Sequence, residues 1–282
     1  MKLGNLEVRS ISGGRFRLDG GSIFGVVPKS LWERKCPCDD KNRVPLDANC
    51  LLVRAGTNLV LIDSGYGSKA PPRQREHCAM QDGSPLIDNL AQSGVHPDDI
   101  NVVVLTHLHF DHAGGCTFHD DSGRVRPVFP RARHVIQRAE WEDATSGAPE
   151  LAGTYFSDDF LPLWEAGLVE LIDGEAEILP GITARLTGGH TRGHQIVTIA
   201  SGSAAAVYTS EFCPLVAHLK LRWTMAYDQF PLDVRRLKLA LLAEIAEKGS
   251  VMLFNHDPAV QAATLRQSEE GDFVIAQQYD MK

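Results

Sequence analysis

The stretch INVVVLTHLHFDHAGG, residues 100–115, sets His107, His109, Asp111 and His112 directly behind a continuous apolar run. Side chains of this kind are titratable and costly to bury without partners. The run 100–105 is rich in β-branched residues, the mark of a strand covered on both faces. On the turn that leaves such a strand, His-x-His puts two imidazoles on one side, and Asp-His adds a second cluster one step on. Imidazole and carboxylate together suit zinc, iron, manganese or cobalt. Gly114 and Gly115 let the backbone turn closely beneath these groups.

Outward from this point the chain alternates strand and helix signals. LEVRSI, RFRLDG, NCLLVRAG and NLVLIDSG crowd the first 65 residues and read as strands joined by glycine-rich turns. PLIDNLAQSG (85–94) has helical spacing and a terminal glycine. ARHVIQ (132–137) is a further strand, and LVELID, ITARLT, QIVTIA and AAAVYT follow between 168 and 209. PLDVRRLKLALLAEIAEKG (231–249) predicts a helix with Pro231 in its first turn and Gly249 past its end. Its expected buried stripe is Val234, Leu237, Leu241, Leu242 and Ile245. VMLFN then returns as a strand. Two batches of strands, each followed by helical material, predict one α/β domain over 1–282. The irregular segment 143–165 reads as an insertion or lid.

Composition narrows the partners. Of the 282 residues 43% are hydrophobic and 23% charged, which is enough for a sizeable core, and 28 Lys+Arg against 36 Asp+Glu leave a net charge of −8. Nucleic-acid binding needs a basic face, and an anionic membrane surface attracts basic segments; neither is expected. The N-terminus lacks the apolar core of a secretory signal and no stretch is long enough to span a bilayer, so a cytoplasmic protein with six reduced cysteines is expected. The CPC at 36–38 lacks the spacing of a zinc knuckle.

The motif HLHFDH resembles the H-x-H-x-D-H signature of the metallo-β-lactamase fold superfamily. Other elements resemble the same family in the expected order. LVLIDSGYG supplies an Asp-x-Gly turn with Asp63 and Gly65. TGGHTRGH (187–194) supplies His190 and His194, with Gly188 where the family often has proline. AAAVYTSEF puts Glu211 where the family carries a metal-bridging aspartate, and VMLFNHDP supplies His256. The N-terminal GGSIFGVVPKSLWERK and the later PLVAHLKLRWTMAYDQFPLD resemble the branch of N-acyl-homoserine lactonases and methyl-parathion-hydrolase-like enzymes.

The resemblance implies a four-layer αβ/βα sandwich holding two divalent ions, zinc first, with iron, manganese or cobalt as alternatives. It implies His107, His109 and His190 as ligands of one ion, and Asp111, His112 and His256 as ligands of the other. Glu211 then bridges the two, or binds one alone because it is a methylene longer; Ser210 is a weaker candidate for the bridge. Asp63 orients a ligating histidine, and His194 stands behind the ligands. A hydroxide shared between the ions attacks the substrate, and Asp111 passes a proton to the leaving group. The implied reaction is hydrolysis of a lactone, in quorum-quenching fashion. A phosphotriesterase, arylesterase or β-lactamase, or a non-hydrolytic di-iron protein, stays open as the alternative. Lactonases of this branch often carry a tyrosine three residues after the bridging carboxylate; here that position is Pro214. Phe24, Trp32, Tyr155, Phe156, Phe212, Trp223 and Tyr227 are candidates for an apolar pocket. The expected partners are a small ester or lactone and, optionally, a second copy of the chain.

Overall fold

The computed structural model describes residues 1–281. Its first sheet starts as an antiparallel meander of β1 (Lys2–Leu3), β2 (Leu6–Asp19), β3 (Arg43–Ala55) and β4 (Asn58–Ile62), then continues with β5 (Val102–Val104) parallel to β4. A two-stranded ribbon, β6 (Thr117–His119) and β7 (Val125–Pro127), leaves the sheet, which is completed by parallel β8 (Arg133–Gln137) and β9 (Val169–Ile172). The second sheet repeats the plan. β10 (Glu175–Leu179), β11 (Ile182–Leu186), β12 (Gln195–Ser201) and β13 (Ala204–Tyr208) form a meander, β14 (Val251–Leu253) joins β13 in parallel, and β15 (Ala262–Gln267) and β16 (Phe273–Tyr279) close the edge.

The two sheets face each other across one apolar layer that includes Val60, Val102, Val104, Val197, Ala206 and Leu253. Val103, one residue out of phase, faces the other way and packs with Leu86 and Leu90 of the helix Pro85–Gln92. Beyond the second sheet, Leu241, Leu242 and Ile245 of the helix Pro231–Glu247 pack on Met252 and Ala263. The order helix, sheet, sheet, helix is the αβ/βα sandwich that the ordered motifs imply.

Three local expectations are corrected. LEVRSI and RFRLDG are one strand of 14 residues, because Gly13 and Gly14 make a bulge against β3 instead of a turn. In the long helix, Leu237 is 38% exposed and Lys238 takes its place in the buried stripe at 1%. Steps of four, three and four from Val234 reach 238, 241 and 245, so rotation per residue overrides the polarity of the side chain. Its ammonium donates to the Trp223 carbonyl at 2.6 Å. The strands β10, β15 and β16 carry no clear sequence signal, because strands of mixed polarity at or next to a sheet edge show little periodicity.

Candidate metal centre

β5 runs parallel to β4 and β8, and β13 to β14, so the loops that leave their C-terminal ends gather at one rim of the sandwich. His107 and His109 follow β5, Asp111 and His112 lie on the one-turn helix Phe110–Ala113, His190 precedes β12, Glu211 follows β13 and His256 follows β14. The turn that carries them is held from below. A Cβ on Gly115 would lie 2.0 Å from the Ser64 carbonyl oxygen, so only glycine allows the Asp63–Gly65 turn to pack there.

His107, His109 and His190 form one donor set, with ligating atoms all within 4.8 Å of one another. The Nε2 atoms of His107 and His190 each stand 3.0 Å from His109 Nδ1. The outer nitrogens are fixed: His107 Nδ1 meets Thr106 Oγ1 at 3.2 Å and His190 Nδ1 meets Asp228 Oδ1 at 2.9 Å. Asp228 is held in turn by the Met225 amide. Burial, then the neighbouring imidazoles, push His107 well below the ordinary histidine value, and burial with His190 beside it pushes His109 down to about 3.

Asp111, His112 and His256 form the second set, again within 4.8 Å. His256 Nε2 stands 3.4 Å from Asp111 Oδ2, and its Nδ1 faces the Asp47 carbonyl at 3.0 Å. His112 Nδ1 pairs with Asp63 Oδ2 at 2.8 Å. Asp63 sits at φ 57°, a costly backbone for a non-glycine residue, and also accepts from the Thr106 amide and hydroxyl. Glu211 Oε1 reaches His256 Nε2 at 2.6 Å and His112 Nε2 at 3.2 Å, and accepts from Asn255. Burial opposes charge on His256 and His112. The carboxylates win nonetheless: Glu211 and Asp111 raise His256 to about 10, and Asp63 and Asp111 lift His112 well above its ordinary value.

This donor chemistry fits divalent cations. Three imidazole nitrogens converging within hydrogen-bond distance, beside a second buried cluster of imidazoles and carboxylates, offer the donor types and spacing that a divalent ion takes. His109 Nε2 is buried with no hydrogen-bond partner at all. His194 and Ser210 stand outside both sets: His194 Nδ1 pairs with Thr187 Oγ1 at 2.7 Å and the Ser210 hydroxyl with Thr106 Oγ1 at 2.8 Å. Sequence reading missed Asp228, Asn255 and the buried Glu140. Asp228 and Asn255 lie inside the quoted stretches PLVAHLKLRWTMAYDQFPLD and VMLFNHDP, but what each holds is distant in sequence, as it is for Glu140, which belongs to no quoted motif.

A cavity of about 360 Å³ opens on the two sets. Leu18, Ile23, Phe110 and Met225 give it an apolar wall, and residues 150–154 form its outer side. Of the seven aromatic candidates, only Tyr227 lines it among the described residues. Phe24 stacks on Trp32 in a satellite core with Trp223 alongside, Phe212 is buried against the second sheet, Tyr155 packs beside His109, and Phe156 is 40% exposed. Aromatic size drew Phe24, Trp32, Phe212 and Trp223 into cores.

Residues 43–256 match the family model described as the Metallo-beta-lactamase superfamily. The chain belongs to that superfamily. Among its members, an N-acyl homoserine lactonase of Bacillus cereus is 26% identical over 207 residues, 70% of this chain and 71% of the relative. A solved structure from Staphylococcus aureus, called a probable metal-dependent hydrolase, superposes with a TM-score of 0.91 at 30% identity, covering 100% of this chain and 99% of that one. AidC, described as a dizinc quorum-quenching lactonase in complex with a product, shares the fold at TM-score 0.81 and 20% identity, over 100% of this chain and 97% of its own. This superfamily member is a metal-dependent hydrolase. Among the described residues no helix is long and apolar enough to cross a membrane.

Proposed function

We propose that the chain is a dinuclear lactonase acting on neutral lactones of the N-acyl-homoserine type, the substrate class named for the Bacillus cereus relative. His107, His109 and His190 would hold one divalent ion, and Asp111, His112 and His256 the other, with zinc the first candidate. Bound there, the ions supply Lewis acidity for a carbonyl and an acidified water as nucleophile. Asp111 lines the cavity and is placed to hand a proton to the departing oxygen. Glu211 lies nearer the second set, which supports binding to one ion more than an even bridge. The segment 143–165 is read as a lid, since residues 150–154 form the cavity's outer side. The six cysteines, all free thiols, support a reducing, cytoplasmic setting.

One observation carries the choice of substrate. Among the described residues lining the cavity there is no lysine or arginine, and Glu150 adds a negative charge at its outer side. Beyond the metal ions and their ligands, a carboxylate-bearing substrate such as a β-lactam finds no lysine or arginine to pair with in these walls, whereas a neutral lactone needs none and can lay its acyl chain on Leu18, Ile23 and Met225. Neutral phosphotriesters and aryl esters meet the same condition and are the second reading. Elemental analysis together with turnover of acyl-homoserine lactones, γ-lactones, aryl esters, a phosphotriester and nitrocefin tests both. Two metals per chain and preference for lactones are expected; faster turnover of nitrocefin than of every lactone overturns the proposal.

A further inference from the structure

Glu140 is 0% exposed and takes no part in either donor set. It lies in the first turn of the helix Arg138–Thr145, directly after β8. Its Oε1 accepts from the Leu108 amide at 2.9 Å, and its Oε2 from the Thr191 hydroxyl at 2.6 Å. Leu108 sits between His107 and His109, and Thr191 follows His190. One carboxylate thus ties together the two loops that carry all three histidines of the first set. Neither of these hydrogen bonds reaches Asp111, His112 or His256.

The approach is built for contact. A Cβ on Gly193 would fall 2.1 Å from the Glu140 backbone nitrogen, so the 190–193 loop is in direct contact with the helix start. On the outside of the same contact, Arg192 pairs with Asp143 at 2.6 Å and with Glu142 at 3.1 Å, but its side chain is 46% exposed. Solvent screens that outer pair. The inner one is dry, and burying a carboxylate is tolerable only where strong donors meet it.

We infer that Glu140 is a positioning residue for the first donor set alone, a buried clamp that holds the His107–His109 turn and the His190 loop at the spacing a metal ion needs. The inference rests on the proposed ligand sets. The physical reason is that three imidazoles on two separate loops bind an ion tightly only if the loops are fixed beforehand, and outer groups of this kind are worth about 10- to 100-fold in metal affinity.

The test is competition between the protein and a chromophoric chelator for zinc, resolved into two binding steps; His190→Ala, which leaves only the second set whole, identifies that set's step. Glu140→Ala should weaken the first-set step about 10- to 100-fold and leave the other unchanged. Glu140→Gln keeps an acceptor for the Leu108 amide and should recover most of the loss; where Glu140→Ala fails to fold, Thr191→Val carries the test, and an unchanged first-set step in it overturns the clamp. Thr191→Val should weaken the first set less than Glu140→Ala does and add nothing when combined with it, because both cut the same interaction. A parent that binds no zinc overturns the proposed function and the clamp together. A parent with two zinc ions whose Glu140→Ala variant loses both steps equally, or neither, overturns the clamp alone. So does an Arg192→Ala variant that weakens the first set as much as Glu140→Ala.

Discussion

His107, His109 and His190 stand beside Asp111, His112 and His256, with the His107 and His112 rings only 4.1 Å apart. Both sets are buried, yet the same side chain ends in opposite protonation states. Imidazoles of the first set face one another, so burial and mutual repulsion keep His107 and His109 neutral. Those of the second set face Asp63, Asp111 and Glu211, which hold His112 and His256 charged against the pull of burial. His107 and His109 are therefore ready for a cation as the chain folds, while His112 and His256 must release protons to take one. Adjacent ligands of identical chemistry differ because of what each one looks at, which is a property of the fold.

Removing a ligand from either set should have the largest effect. His107→Ala and His256→Ala should each lose one metal per chain and lower turnover by at least about 10²- to 10³-fold, the scale of losing one electrostatic stabiliser. Full activity in chelator-stripped protein would contradict the two-set reading at its root. Next comes Glu211. Glu211→Gln keeps shape but not charge, and should weaken the second set about 10- to 100-fold in a zinc titration while sparing the first. If it weakens both alike, Glu211 bridges evenly. Glu211→Asp should keep metal and change rate.

Orienting carboxylates give a finer cut. Asp63→Asn should weaken the second set and Asp228→Asn the first, each by about 10-fold or more, read as separate steps of the same titration. A crossed pattern would reverse the assignment of partners.

The smallest effect is a pair of opposed pH slopes in the metal-free protein. His256 has a folded value of about 10 against an ordinary 6.5, so its contribution to stability is complete below pH 6.5 and is lost as pH rises through about 10. His109 has a folded value of about 3, so the unfolded chain takes up a proton that the folded chain refuses, and stability falls as pH drops from 6.5 toward 3. Melting temperatures across pH should show His256→Ala flattening the alkaline slope and His109→Ala the acid one. The same slope change in both variants would erase the distinction between the sets.

The site was far more legible than its supports. HLHFDH, TGGHTRGH and the NHDP of residues 255–258 carry six candidate donors in short local patterns, and the structure brings them and Glu211 to one rim. Strands buried on both faces and the capped long helix were legible for a similar reason, since a strand or helix period is written within a few residues. Lys238 shows the limit: its polarity argued for the surface, while helical rotation and one carbonyl placed it inside.

Local sequence was thus enough to name the candidate donors in order and to say that they gather behind buried strands. It could not say that Glu211 leans toward His256, that Asp228 meets His190 and Asn255 meets Glu211, that Glu140 joins two loops, or that the cavity wall carries no lysine or arginine. These depend on which distant segments meet when two sheets close on one apolar layer. A protonation state, a shared hydrogen bond and the charge of a cavity are each sums over neighbours in space, and only the folded chain chooses those neighbours.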